Sequence, residues 1–388
     1  MNNRIIYDSA ITGHHSEYIS HLVDYLLKSE SKEIFYFIVS EEFKIQFFNI
    51  VDKTKGNPSI VWEFIPKKQC DFFQSLPLYK RSFKELAIVD SYAKKFNAQK
   101  VLLLYFNIFQ LALIFKRYSF EISGILFLQF YRMQKNTFSE KLKYYRKYLI
   151  TKLYSRNSKI KTVFVLNDDK TTAFLNKKFN TNKFKMLPDP IPQYDQEAGF
   201  NLYEYYKIPQ HKKVLLHPGA IDHRKGTFEI IEAIDLLQEN ETGEYAILIV
   251  GRAKPDVEKL ILEKLAVLKN TNFTIVFDNS FVSNERLKSL FMQSFAVLMP
   301  YKNPEASSGI LGHAASLNKC VIAPYNGLIG DIVKDNKLGL LINKPTAVDI
   351  ASGIELLSNC IVNRDLSSDF VAKHSNVFFA TTLLKYLK

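Results

Sequence analysis

Residues 213–237 read KVLLHPGAIDHRKGTFEIIEAIDLL. The opening run is continuously apolar and stops at Pro218-Gly219; from Thr227 onward the apolar residues recur at helical spacing. A change of period across a glycine-containing loop predicts a strand feeding a helix. The same unit repeats downstream in YAILIVG (245–251), FTIVFDN (273–279), FAVLMPY (295–301), KCVIAPY (319–325) and LGLLIN (338–343). Upstream it appears as RIIYDSAI (4–11), EIFYFIVS (33–40), SIVWEFIP (59–66), KVLLLYF (100–106), SGILFLQF (123–130) and TVFVLN (162–167), with amphipathic stretches at 16–28, 78–96 and 138–154. Strands buried on both faces read as unbroken apolar runs, and strand–helix alternation builds a parallel sheet covered by helices. Between the two series lies LPDPIPQYDQE (187–197), whose Pro188, Pro190 and Pro192 fit neither a helix interior nor a central strand. The expected fold class is therefore α/β, with two doubly wound Rossmann-like domains, 1–190 and 191–388, facing a cleft. The last helix is able to pack back on the first domain, and a ligand is expected at the carboxyl ends of the strands.

Composition narrows the classes. The chain has 388 residues, 47% hydrophobic and 23% charged, a globular composition large enough for two domains. Cys70, Cys320 and Cys360 lie far apart in sequence, a spacing that on this reading rules out a disulfide framework and any CxxC-type zinc or redox motif. The start, MNNRIIYDSAIT, does not read as a secretory signal, and the most apolar window, residues 101–115, is broken by Asn107 and Gln110. A reducing, cytoplasmic setting is the expectation. The net charge of +13 is one-sided: residues 1–190 hold 31 Lys and Arg against 17 Asp and Glu, and residues 191–388 hold 21 against 22. Such asymmetry suggests an anionic partner for the first half, or simply a basic proteome.

Three motifs stand at strand ends. In LLHPGAIDHRKG (215–226), Gly219 opens the loop and Arg224 and Lys225 precede the helix start. Free backbone N–H groups, the positive dipole end and two cations favour a phosphate; a solvated basic pair fits the same residues. In PEASSGILGHAA (304–315), Ser307, Ser308 and Gly309 open a helix behind Glu305, and small residues there let a ligand reach free N–H groups. His313 follows Glu305 by eight residues and fits a structural histidine as well as a functional one. In AITGHHSE (10–17), Gly13 permits a tight turn, while His14 and His15 line the top of the sheet. Neither H-E-x-x-H nor a further ligand accompanies them, so no metal is expected.

Taken in order, HPGAIDHRKGTFEIIEAI, LIVGRA, PEASSGILGHAASLNKCVIA and GLIGDIVKDNKLGLLI resemble the carboxyl half of a family 4-like glycosyltransferase of GT-B fold (glycosyl transferases group 1). The likeness covers residues 213–388 and extends more weakly to the start. It implies a nucleotide-sugar donor as substrate, retention of anomeric configuration, and neither cofactor nor metal. It further implies that Lys225 binds the donor diphosphate. The arginine that usually follows the loop glycine is Ala220 here, with Arg224 as its replacement from the other side of the loop. The family's paired glutamates fall on Glu305 and His313. Glu305 and the backbone of Ser307, Ser308, Gly309 and Ile310 would hold sugar and phosphate, Gly13 and Gly219 would flank the donor, and His313 would face the ribose. Asp331 stands where the family often has glutamate. The catalytic histidine expected after the fifth strand is absent, leaving Gln129 and Tyr131 on the acceptor side with His15. Lys225, Glu305 and His14 are the residues expected to touch the reacting centre. Charge developing on the departing diphosphate would be stabilised by fixed cations and a helix N-terminus.

The basic excess concentrates in residues 132–161, with ten Lys and Arg against Glu140 alone. Leu142, Tyr145, Leu149 and Leu153 recur there at helical spacing, with Tyr148 close by. The stripe fits either a helix lying on an anionic membrane or a core-facing surface with a solvated basic side. On the first reading the protein is peripheral at the inner face of the membrane and extends a glycan or lipid-linked glycan. The rival readings are a nucleotide-sugar epimerase and a non-catalytic partner of the same fold. Nucleic acid is not expected as a partner, because no recognition motif accompanies the charge.

Overall fold

The computed structural model describes residues 3–11, 15–29, 33–127, 129–238, 243–270, 272–303, 305 and 307–387. The chain divides into two compact units, 1–189 with 376–388, and 190–375. The C-terminal helix Asn376–Lys385 thus belongs to the first unit, where Phe379, Ala380, Leu383 and Leu384 are buried.

In the first unit, β1 (Asn3–Asp8), β2 (Ile34–Ser40), β3 (Ile60–Ile65), β4 (Lys100–Leu103), β5 (Glu121–Leu126), β6 (Ile160–Leu166) and β7 (Phe184–Leu187) form one sheet in the order β3-β2-β1-β4-β5-β6-β7. In the second, β8 (Lys213–Pro218), β9 (Tyr245–Val250), β10 (Thr274–Asp278), β11 (Ala296–Leu298), β12 (Cys320–Pro324) and β13 (Gly339–Ile342) run in the order β10-β9-β8-β11-β12-β13. All strand pairings are parallel. Each sheet therefore starts in its middle, winds outward one way, then returns to wind the other. The switch points lie between β1 and β4 and between β8 and β11, where ligand crevices form in such folds. Burial explains the strand sequences: every residue of β9 is buried, as are the last five of β8. Each fully buried Leu, Ile or Val contributes about 1.5–3 kcal/mol.

Three sequence expectations meet the structure directly. The apolar window 101–115 is not one element. It divides into β4, a 3₁₀ turn at Phe106–Ile108 and the helix Gln110–Phe115. The expectation of unpaired cysteines is overturned: Cys320 and Cys360 form a disulfide, with Cα atoms 6.5 Å apart. Linear spacing concealed it because the short chain from β13 through the helix Ala347–Glu355 returns Cys360 to the start of β12. The choice left open for residues 132–161 resolves toward exposure. In the helix Phe138–Ser155, Phe138, Leu142, Tyr145 and Leu149 are each more than half exposed, and Leu153 is exposed as well. Tyr144 and Tyr148 instead face inward onto Phe130. No helix among the described residues is long and apolar enough to cross a membrane.

Candidate functional site

The loop after β8 ends at Gly226, which has φ +77° and caps the helix Thr227–Ile234. A Cβ there would collide with the Pro300 carbonyl, so glycine is required both for the left-handed backbone and for the close approach of the loop after β11. A backbone bond from Lys302 N to Arg224 O, 2.8 Å, fastens the two loops together. His217, wholly buried in β8, reinforces the same corner. Its Nδ1 lies 2.8 Å from the Leu298 carbonyl and its Nε2 lies 2.9 Å from Thr227 Oγ1. A carbonyl only accepts, so Nδ1 carries the hydrogen and Nε2 accepts from the threonine hydroxyl. Burial, and secondarily the charge of Lys225, hold the His217 pKa down at about 4.

These constraints aim Lys225 at the switch point. Its Nζ donates to the Tyr301 hydroxyl at 2.6 Å and stands 4.1 Å from the centre of that ring. No carboxylate forms an ion pair with it among the described residues. A methyl group built on Gly219, whose φ is +102°, would lie 3.7 Å from both Lys225 Nζ and the Ile310 side chain. Lys225 Nζ and the Ile310 side chain thus both flank the open face of Gly219, beside the start of the helix Gly309–Ser316. Ser308 occupies the cap position of that helix without a side-chain cap bond; the Leu311 N–H donates to the Ser308 carbonyl at 3.1 Å, and the N–H groups of Gly309 and Ile310 keep their capacity for an external acceptor. A cation and a helix N-terminus converge on one small, glycine-lined space suited to an anion.

The remaining expected residues divide. Glu305 is half-buried, and its N–H donates to Asn303 Oδ1 at 3.0 Å, which shapes the turn leading to the helix. Ser307 is likewise half-buried in that turn. Arg224 is not drawn inward; its guanidinium pairs with Asp222 on the exposed side of the loop. His313 lies in the second turn of its helix, buried, with its ring 5.8 Å from Tyr194 and 5.5 Å from Phe291. Asp331 sits in the first turn of the helix Leu328–Asn336. Gly13 and His14 lie outside the described residues.

At the switch point of the first sheet, His15 Nδ1 meets the buried Asp8 carboxylate at 2.6 Å, and its ring packs against Tyr105 and Phe127. Gln129 is buried beyond β5, while Tyr131 is exposed with its ring 4.6 Å from Phe174. Four residues that shape these sites, Asp8, Tyr105, His217 and Tyr301, escaped the sequence reading. Asp8 and His217 had a signal, each being a polar residue within an otherwise apolar strand. Among the described residues no cluster of three His, Cys, Asp or Glu is arranged to hold a metal ion.

Comparison with known proteins adds a family match over the second unit and a fold match over both. The family model of glycosyl transferases group 1 matches residues 203–370, nearly the whole second unit. Among solved structures, a glycosyltransferase from Rickettsia africae ESF-5 is similar over 100% of this chain and 98% of its own, at 15% identity and a TM-score of 0.69. WaaG, a glycosyltransferase involved in lipopolysaccharide biosynthesis, is similar over 99% of this chain and 98% of its own, at 15% identity and a TM-score of 0.61. S. aureus MnaA, solved with UDP, is similar over 100% of this chain and 96% of its own, at 13% identity and a TM-score of 0.58. No curated protein matches by sequence. The fold is that of the GT-B glycosyltransferases.

Proposed function

We propose that the protein moves a hexosyl group from a nucleotide-sugar to a glycan or lipid-linked glycan, in the biosynthesis of a surface polysaccharide or glycoconjugate. The observation that carries this reading is the placement of Lys225 Nζ and Ile310 on the open face of Gly219, beside a helix start, Gly309–Ser316, whose cap residue makes no side-chain cap bond. As the bond from the anomeric carbon to the diphosphate breaks, negative charge grows on the phosphate oxygens. Lys225 Nζ, already positioned by Tyr301, and the N–H groups of Gly309 and Ile310 stabilise that charge without reorganising. On this reading the reaction retains anomeric configuration and needs no metal, and Glu305 with Ser307 and Ser308 holds the sugar. Arg224 would swing from Asp222 to the diphosphate when the donor binds, and His313 would support the ribose side from within the helix. His14 and His15, with Gln129 and Tyr131, would serve the acceptor.

The setting we propose is the cytoplasmic side of a membrane, with the exposed stripe of the helix Phe138–Ser155 laid on an anionic surface. Its charge supports that partner: five Lys and Arg lie within the helix, and its single carboxylate, Glu140, is engaged by the backbone N–H groups of Asn136 and Thr137.

The test is a metal-free thermal-shift panel of UDP-, GDP-, ADP-, TDP- and CMP-sugars with their nucleotides, followed by turnover. One nucleotide class is expected to raise the unfolding midpoint, and Lys225→Ala to abolish that rise. Turnover of Lys225→Ala should fall by about 10²–10³-fold, the cost of removing one preorganised donor from developing charge. Asp256→Ala, a surface change in the same unit, should leave turnover unchanged. Equal turnover in the two variants would overturn the phosphate assignment.

A further inference from the structure

Tyr301 is held from both sides by the loop that carries Lys225. The residue before it, Pro300, sets its carbonyl against Gly226 so closely that no Cβ fits there. The N–H of the residue after it, Lys302, donates to the Arg224 carbonyl at 2.8 Å. Its own N–H donates to the Met299 carbonyl at 2.7 Å, and its ring belongs to the buried cluster that includes Met299, Leu311 and Ile329. Backbone and ring are fixed, and they deliver the hydroxyl to Lys225 Nζ at 2.6 Å.

That bond has a fixed direction. An ammonium only donates, so the phenol oxygen accepts and the hydroxyl keeps its own hydrogen to give. Among the described residues no group accepts that hydrogen. A hydroxyl that accepts from a cation is polarised by it and becomes the stronger hydrogen-bond donor. Lys225 Nζ flanks the open face of Gly219, beside the start of the helix Gly309–Ser316, so an anion oxygen that meets Nζ there is also close to the hydroxyl. The same corner is short of fixed donors. The arginine that the resemblance places after the loop glycine is Ala220, and Arg224 is engaged by Asp222 on the exposed side of the loop. Tyr301 is in place without any such rearrangement.

We propose that Tyr301 binds the substrate directly: its oxygen accepts from Lys225 while its hydrogen is donated to a phosphate oxygen held at Lys225. It thereby supplies a second fixed hydrogen-bond donor where position 220 has none. That this phosphate belongs to the diphosphate of a nucleotide-sugar rests on the function proposed above; the binding of an anion by Lys225 and Tyr301 together does not.

Calorimetric titration of the full chain with inorganic pyrophosphate, without metal, tests the contact. Tyr301→Phe keeps the ring beside Lys225 and removes only the hydroxyl. Affinity should fall by about tenfold or more, the worth of one hydrogen bond to a charged group. A hydroxyl that merely steadied Lys225 would also be missed, so a second variant separates the two roles. Tyr301→3-fluorotyrosine carries a more acidic phenol, a better hydrogen-bond donor and a poorer acceptor. At a pH where that phenol stays protonated, it should bind pyrophosphate as tightly as the wild type or more tightly. Weaker binding would reduce Tyr301 to an acceptor for Lys225 and overturn the proposal. Unchanged affinity in Tyr301→Phe, or no pyrophosphate binding by the wild type, would do the same. Pyrophosphate binding that needs the Tyr301 hydroxyl, in a protein that no nucleotide-sugar stabilises, would sustain this contact while removing the transferase reading. A nucleotide-sugar shift left intact by Tyr301→Phe would do the reverse.

Discussion

His217 shows how a residue can matter to a site without facing it. Both ring nitrogens are committed, one to the Leu298 carbonyl and one to Thr227, so protonation would break the bond that Nε2 accepts. With the folded pKa near 4 and an unfolded value near 6.5, the unfolded chain binds a proton between those limits that the folded chain refuses. Stability is therefore complete above pH 6.5 and falls as pH drops toward 4, by about 1.4 kcal/mol per unit for this one group. His21 and His374, whose pKa values burial also lowers, act with the same sign. Urea midpoints measured from pH 7.5 to 4.5 should show this decline, and His217→Gln should make it shallower. An unaltered slope in that variant would place the proton uptake elsewhere. At this scale the sequence was half legible. The position of Lys225 could be read because it depends on a local pattern, a basic residue before a glycine at a helix start. Tyr301, which positions Lys225, lies 76 residues away and becomes its neighbour only when β8 and β11 pair. His313 shows the converse: it occupies the position that the resemblance implies, but its ring packs between Tyr194 and Phe291.

At the scale of elements, continuous apolar runs located β1–β6 and β8–β13, because burial on both faces leaves little choice of residue type. β7 was invisible: FKML is four residues long, pairs with one neighbour only, and carries Lys185 and exposed Met186. Helical periodicity found the helix Phe138–Ser155 but could not say which way its stripe points. Two apolar sets coexist on it, and Tyr144 and Tyr148 are the pair that packs on Phe130, leaving Leu142, Tyr145 and Leu149 outside. The consequence can be measured. Leu142→Ser with Leu149→Ser removes apolar surface that the fold does not bury, so the unfolding midpoint should change little. Binding to vesicles of anionic phospholipid should fall by about tenfold or more, as two leucines inserted at an interface are lost. Wild-type binding should also weaken as salt rises, through screening of the lysines and arginines. A double variant that binds vesicles as wild type does would remove the membrane from the proposal.

At the scale of the molecule, the cysteine count and the chain ends carry the lesson that pairing is three-dimensional. Cys320 and Cys360 close a loop spanning 40 residues, for which chain-entropy arithmetic gives about 4 kcal/mol of stabilisation. Reductant should lower the unfolding midpoint of the second unit and leave that of the first in place, because Cys70, the remaining cysteine, is free and buried. The chain ends make the opposite point about the first unit. Its core depends on residues from both ends of the sequence. Phe379 lies 4.8 Å from the Tyr18 ring, and the Tyr18 hydroxyl donates to Asp189 at 2.5 Å, where the chain leaves the unit. Leu383, Leu384 and Leu387 join the same buried cluster as Ile19, Leu22 and Phe37. Four large apolar side chains at about 1.5–3 kcal/mol each rival the entire stability of a domain, about 5–15 kcal/mol. Truncation after Ser375 should therefore cost the first unit its cooperative fold while sparing the second, whose residues end there. Hydrogen exchange reads the two separately: amides of β1 and β4 should lose protection in the truncated chain, and those of β8 and β9 should keep it. Full protection of β1 after truncation would show that the helix Asn376–Lys385 covers the first sheet without holding it together.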